Sequence, residues 1–291
     1  VKPIEPVFLD YQKDMSQLKA KSDIPVLYKQ NVANDLFQLI YVFDMGNNHD
    51  KALGTAFDYL EYLGTSDMTP EELKSEFYRL ACTFYVSPGN ERTYVVLSGL
   101  NENMPAAVQL FEKLLADAQV NKEAYTNMTS DILKARSDAK LNQGQNFSRL
   151  MSFAMYGPKS PATNLLTEVE LTNMNPQELV DRIHNQNSYK HRILYYGPSS
   201  SKDLLATINQ YHQVPATLKD IPAGNEYAYL ETPVTKVLVA PYDAKQIYMA
   251  QISNLNKKYD PAIEPIRALY DEYFGGGMNS IVFQEMRETR G

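Results

Sequence analysis

Four histidines, one cysteine, a triple glycine and the arginine that follows it offer most of the chemistry in this 291-residue chain. A catalytic metal needs imidazole or carboxylate ligands at helical spacing, and His49, His184, His191 and His212 include no pair three to five residues apart. Their places, a turn, a helix end, a strand start and another helix end, suit surface or capping roles. Cys82 is alone, so it can form no internal disulfide and complete no thiolate site; it reads as a small buried hydrophobe beside Phe84. No G-x-S-x-G elbow presents a serine nucleophile. Gly275-Gly276-Gly277 lacks the Lys-Ser/Thr of a phosphate loop and reads instead as a turn relieved of steric limits. It leads into a helix that Asn279 or Ser280 can cap, with Ile281, Phe283 and Met286 directed to a core and Arg287 on the other side.

The elements around these residues alternate between strand pairs and helices. Ile24–Tyr28 and Leu36–Met45 are rich in β-branched and aromatic residues and flank the turn residues Asn31–Asp35, which predicts a hairpin. Lys51–Leu63 has helical spacing, with Gly64 as its C-terminal glycine. Thr69-Pro70-Glu71-Glu72 is a capping box with proline in the first turn. A second hairpin is expected from Cys82–Val86 and Arg92–Ser98 around Ser87-Pro88-Gly89-Asn90. Helices follow over Met104–Ala118, Lys122–Leu141 and Gln145–Tyr156, and another begins at Asn175-Pro176. Arg192–Tyr196 reads as a strand, and Ser201–Tyr211 as a serine-capped helix. After a proline-rich stretch, Lys236–Ala240 and Gln246–Asn254 are expected as strands, and Asp260-Pro261 opens a helix to about Phe274.

Hairpins followed by grouped helices indicate an α+β fold, an antiparallel-rich sheet with helices on one side, rather than alternating α/β. The expected organisation is a linker or strap at 1–22, an α+β domain at 23–212, a connector at 213–235, and a second, incomplete α+β domain at 236–291. The shortened return of the strand-pair and helix order after 236 is compatible with an internal duplication. A formal net charge of -7 and a pI near 5.2 argue against a nucleic-acid or anionic-membrane partner, which would need a basic face. No apolar run approaches the roughly 18 residues of a membrane span, and Val1 opens on no signal-peptide pattern. A soluble protein is expected, in the bacterial cytoplasm or periplasm, and both ends read as cut from a longer polypeptide.

The tail Phe274–Gly291, Phe-Gly-Gly-Gly-Met-Asn-Ser-Ile-Val-Phe-Gln-Glu-Met-Arg-Glu-Thr-Arg-Gly, resembles the glycine turn and helix of the pitrilysin/insulinase family of zinc peptidases, the inverzincins. Leu27-Tyr28-Lys29, the Gly54–Thr65 segment and the Arg192–Pro198 strand occur in that family's order. The family's H-x-x-E-H motif is missing from the chain. By the resemblance, Asp58 and Tyr62 stand where two histidine ligands would be, and Glu61 where the general base would be. Asp131–Arg136 resembles the third-ligand helix but holds no glutamate. The resemblance therefore implies a metal-free, non-catalytic C-terminal half of a bacterial two-half peptidase, with no catalytic residue and no cofactor of its own. Zinc is expected in the N-terminal catalytic half of the same polypeptide. The implied fold role is one wall of a clamshell chamber, where Arg287, Gly276 and Gly277 would contact an extended peptide substrate. The alternative within the same fold is a non-catalytic structural or partner subunit.

Overall fold

The computed structural model describes residue 8 and residues 10–243, 245–254 and 256–290. Its strands are β1 (Ser16–Lys19), β2 (Pro25–Gln30), β3 (Leu36–Phe43), β4 (Cys82–Pro88), β5 (Thr93–Leu100) and β6 (Arg192–Gly197). Its α-helices are α1 (Tyr11–Asp14), α2 (Leu53–Leu60), α3 (Pro70–Arg79), α4 (Met104–Asp117), α5 (Lys122–Ala139), α6 (Gln143–Tyr156), α7 (Glu168–Asn173), α8 (Gln177–Asn185), α9 (Ser201–Tyr211), α10 (Glu264–Asp271) and α11 (Ile281–Phe283). The fold is α+β, as its sequence pattern indicates.

The strands form one mixed sheet in the order β1-β2-β6-β3-β5-β4. β4 and β5 are the expected hairpin, in register from Cys82 opposite Gly99 to Pro88 opposite Thr93. The hairpin expected from β2 and β3 does not form. β6 lies between them, parallel to β2 and antiparallel to β3. The Asn31–Asp35 turn therefore spans two strand spacings, about 10 Å, instead of one. Local patterning cannot distinguish these cases, because the inserted strand arrives from more than 150 residues along the chain. The lead-in differs as well: residues 1–7 and 9 lie outside the described set, but Ser16–Lys19 form an edge strand against β2. Four residues long and ending on Lys19, β1 suits an edge, where bare backbone would otherwise invite pairing.

Alternation along the strands separates two faces. Phe37, Leu39, Tyr41 and Phe43 of β3, with Val95 and Leu97 of β5, are buried in the core shared with α2, α4, α8 and α9. The opposite face leaves Tyr85, Tyr94 and Tyr196 exposed. The abundant tyrosines are thus partly a half-solvated sheet surface, to which an aromatic ring with a polar tip is suited.

Helix starts follow side-chain chemistry. In the capping box before α3, Glu72 N–H donates to Thr69 Oγ1 at 3.2 Å and Thr69 N–H donates to the Glu72 carboxylate at 2.8 Å. Thr167 and Glu170 repeat it at α7. Gly64 acts differently from a left-handed helix cap, since it has no positive φ. α2 ends four residues earlier, and a Cβ at Gly64 would collide with the carbonyl of Met68. Crowding also accounts for Gly46, whose missing Cβ admits the backbone of Gly89 and Asn90 while Asn47 and Asn48 N–H groups bond those two carbonyls, both at 2.8 Å.

The chain divides into two compact units, Val1–Ala228 with Leu238–Tyr248, and Tyr229–Val237 with Met249–Gly291. The first part of the proline-rich stretch is tied onto the first unit: Lys219 exchanges backbone bonds with Ser188 and Lys190, and Asn225 N–H donates to Asn48. Lys236–Ala240 and Gln246–Asn254, expected as strands, carry no strand pairing among the described residues. Alternation alone makes no strand, because the ladder comes from a partner. In the second unit, Asn254 and Thr232 instead bond reciprocally, at 2.8 and 3.1 Å.

Candidate functional site

Three groups of residues carry the functional question: the outward face of α2, a polar cluster inside the core, and the glycine-arginine tail. On α2, Leu53, Ala56, Phe57, Tyr59 and Leu60 face inward. Tyr59 is fully buried, and its hydroxyl donates to the Asn121 carbonyl at 2.6 Å while accepting from Asn121 N–H at 2.9 Å. That paired anchor fixes the rotation of the helix. Asp58, Glu61 and Tyr62 consequently share the solvent side. Partial desolvation raises the pKa of Asp58, and the negative charge of Glu61 adds to the rise. A phenol and two carboxylates without an imidazole do not fit a tetrahedral zinc site. Among the described residues no group of three or more His, Cys, Asp or Glu side chains could hold a metal. Asp131–Arg136 lies within α5, where the Arg136 guanidinium donates to the Leu166 carbonyl at 2.7 Å.

The histidines divide. His49 and His184 occupy turn and helix-end positions, with Gly46 N–H donating to His49 Nδ1 and His184 Nε2 meeting the Ala118 carbonyl. His191 and His212, read from sequence as surface or capping residues, are instead buried and bonded to each other, Nε2 to Nε2, at 2.8 Å. His212 Nδ1 meets Glu112 Oε1 at 2.7 Å, and His191 Nδ1 meets the Tyr189 carbonyl at 2.7 Å. The other Glu112 oxygen accepts from Asn187 Nδ2 and Gln213 N–H. Tyr41 and Phe43 pack their rings against the imidazoles.

The protons of this chain can be counted. The Tyr189 carbonyl only accepts, so His191 Nδ1 carries a proton, and two more are needed for the Nε2 pair and the Glu112 contact. Burial, and then the charge of His212, lower the pKa of His191 to about 4. His191 therefore accepts at Nε2, and its partner supplies the bridging proton. Glu112 was the available signal in the sequence: an acid on the apolar stripe between Phe111 and Leu114 needs a buried partner.

In the tail, α10 passes into a wider turn at Glu272–Gly276, and Ser280 Oγ accepts from Phe283 N–H to start α11. Ser280 is thus the cap. The glycines do not use left-handed conformations: neither Gly276 nor Gly277 has positive φ, and Gly277 is extended. A Cβ at Gly275 would meet nothing within 4 Å, and those at Gly276 and Gly277 would meet chiefly the Glu272 carboxylate. Ile281 and Met286, expected to face a core, are exposed. Three residues of α-helix followed by a π-type turn provide no inward face of their own. Arg287 places its guanidinium over the Phe283 ring, 5.0 Å from the centroid, and forms no ion pair among the described residues. Gly291 lies outside the described set.

No protein-family model matches this sequence, and neither does any curated protein. Its fold, however, is similar to that of solved peptidases. The inactive domain of a peptidase M16 from Pseudomonas fluorescens matches with 15% identity and a TM-score of 0.68, covering 95% of this chain and 68% of that one. The periplasmic protease PqqL from Escherichia coli matches with 14% identity and a TM-score of 0.65, over 75% of this chain and 25% of that one. A mutant of the ferredoxin protease FusC, in complex with Arabidopsis ferredoxin, matches with 11% identity and a TM-score of 0.63, over 78% of this chain and 25% of that one. The matched region is only a quarter of the length of the latter two proteins. The fold is the M16 peptidase fold, the class to which the tail and the Gly54–Thr65 helix point.

Proposed function

We propose that this chain is most of the metal-free C-terminal half of a pitrilysin-type zinc endopeptidase. It forms one wall of a clamshell chamber and holds extended peptide without cleaving it. The observation that carries this reading is the likeness, over 95% of the chain, to an inactive M16 domain. The α2 face is in keeping with it: by the resemblance, Asp58 and Tyr62 take the positions of the ligands and Glu61 that of the base, and all three lie on the solvent side. Metal and base belong, on this reading, to the N-terminal half of the same polypeptide.

The contribution of this half is positional. Holding a peptide in one geometry removes much of the entropic part of the barrier to attack on its backbone. Arg287 has the donors for it: a guanidinium with no carboxylate partner among the described residues can bond peptide carbonyls in a fixed fork. By the resemblance, Gly276 and Gly277 would contact the same peptide, once the Glu272 carboxylate that lies against both has swung aside. The test is hydrolysis of an unfolded fluorogenic peptide. The chain alone with excess zinc is expected to give none, and its combination with an H-x-x-E-H-bearing half is expected to give chelator-sensitive turnover. Turnover by the chain alone, or none from the combination, overturns the proposal.

A further inference from the structure

Beside the core, α5, α6 and the turn at 161–163 enclose an open cleft of about 670 Å³. Arg136, Lys140 and Arg149 all line it, and Glu168 is the one acid of its lining. None of the three cations forms an ion pair among the described residues. In a chain of net charge -7 that concentration is a departure from the surroundings. Arg136 and Lys140 lie one helical turn apart, a like-charged spacing that is unfavourable by itself. Their place at the C-terminal end of α5 partly explains them, since cations there complement the helix dipole. Arg149 has no such explanation, being in the middle of α6. Arg136 is held by its bond to the Leu166 carbonyl, so part of its fork is preset. The rest of the lining mixes serines and Thr163 with apolar side chains, of which Phe153 and Leu165 stay about half exposed.

We infer that this cleft is a binding site for an acidic peptide segment, with carboxylates on Arg136, Lys140 and Arg149 and a neighbouring apolar side chain against Phe153 and Leu165. Arginine forks match carboxylates in two-point geometry, and the half-exposed ring and leucine gain by leaving water. A nucleic acid is a poorer occupant, because a chain of net charge -7 repels a polyanion overall. The site requires no metal-bearing half, so it stands or falls separately from the peptidase proposal.

The experiment is fluorescence anisotropy on the 291-residue chain at about 0.15 M salt, where long-range attraction is screened. The probes are a labelled peptide with two glutamates beside a phenylalanine, its glutamine isostere, and a version with alanine for phenylalanine. Inorganic phosphate is the competitor. The glutamate peptide is expected to bind about tenfold tighter than the glutamine isostere, and the alanine version more weakly than the parent. Lys140→Gln with Arg149→Gln, both exposed and without ion pairs among the described residues, is expected to weaken binding about tenfold. Lys74→Gln with Lys202→Gln removes the same charge elsewhere and is expected to leave binding unchanged, circular dichroism confirming the fold of both. Equal affinity for the glutamate and glutamine peptides, or equal weakening by both variant pairs, overturns the site. Complete displacement by phosphate, with no effect of the phenylalanine, overturns its assignment to a peptide and leaves a simple anion site.

Discussion

His191, His212 and Glu112 show how much a few buried atoms can require of a fold. The folded His191 has a pKa of about 4 against an ordinary value of 6.5, so between those values the unfolded chain binds more protons. Stability therefore rises with pH through that window and is lost as pH falls from about 6.5 to about 4. The full effect is about 3 kcal/mol. Urea midpoints at pH 7 and pH 4.5 measure it, and in His191→Gln the pH slope should flatten. Glu112→Gln breaks the buried contact with His212 Nδ1, and an expected loss of about 3 kcal/mol would appear in the same denaturation experiment. At the tail, Arg287→Ala in the two-half protein is expected to lower kcat/KM by about 1.5–3 kcal/mol, the worth of one charge-assisted contact. An unchanged kcat/KM would remove that role. Asp58, Glu61 and Tyr62 were visible in the sequence as a helix face. The histidine pair was not, because residues 191 and 212 meet only after β6 and α9 have packed against α4 and β3.

Among the elements, the helices are the most legible, since their signals are local. Thr69 and Glu72 sit three residues apart, and the capping box they form is written in four letters of sequence. Thr69→Ala is expected to cost about 1 kcal/mol in thermal or urea unfolding. Gly46 is a different case, with a role set by Gly89 and Asn90 from a distant hairpin loop. Gly46→Ala should destabilise by about 1–3 kcal/mol, because backbone carbonyls cannot swing aside as a side chain can. A shift within a few tenths of a kcal/mol would show that the two loops can separate. β2 and β3 mark the limit of local reading. Their composition identifies them as strands, whereas the choice of β6 as a shared neighbour is made by contacts of very large sequence separation.

Across the whole molecule, burial is uneven. α4 encloses seven buried residues, including Phe111, Leu114 and Leu115, while α10 and α11 contain none. Short helices without a buried face are marginal in water. Amide hydrogen exchange over 264–271 is therefore expected to be orders of magnitude faster than over 104–117. Equal protection would overturn that contrast. The sequence by itself determined the helix boundaries marked by caps, the α+β class, and the absence of histidine ligands on α2, since each depends on residues near one another in the chain. Only the tertiary structure decided the place of β6 between β2 and β3, the burial of His191, His212 and Glu112 in one proton-sharing cluster, and the gathering of Arg136, Lys140 and Arg149 around one cleft. Those arrangements come from side chains and strands that find their partners across long stretches of chain, and local pattern carries no record of which partner is chosen.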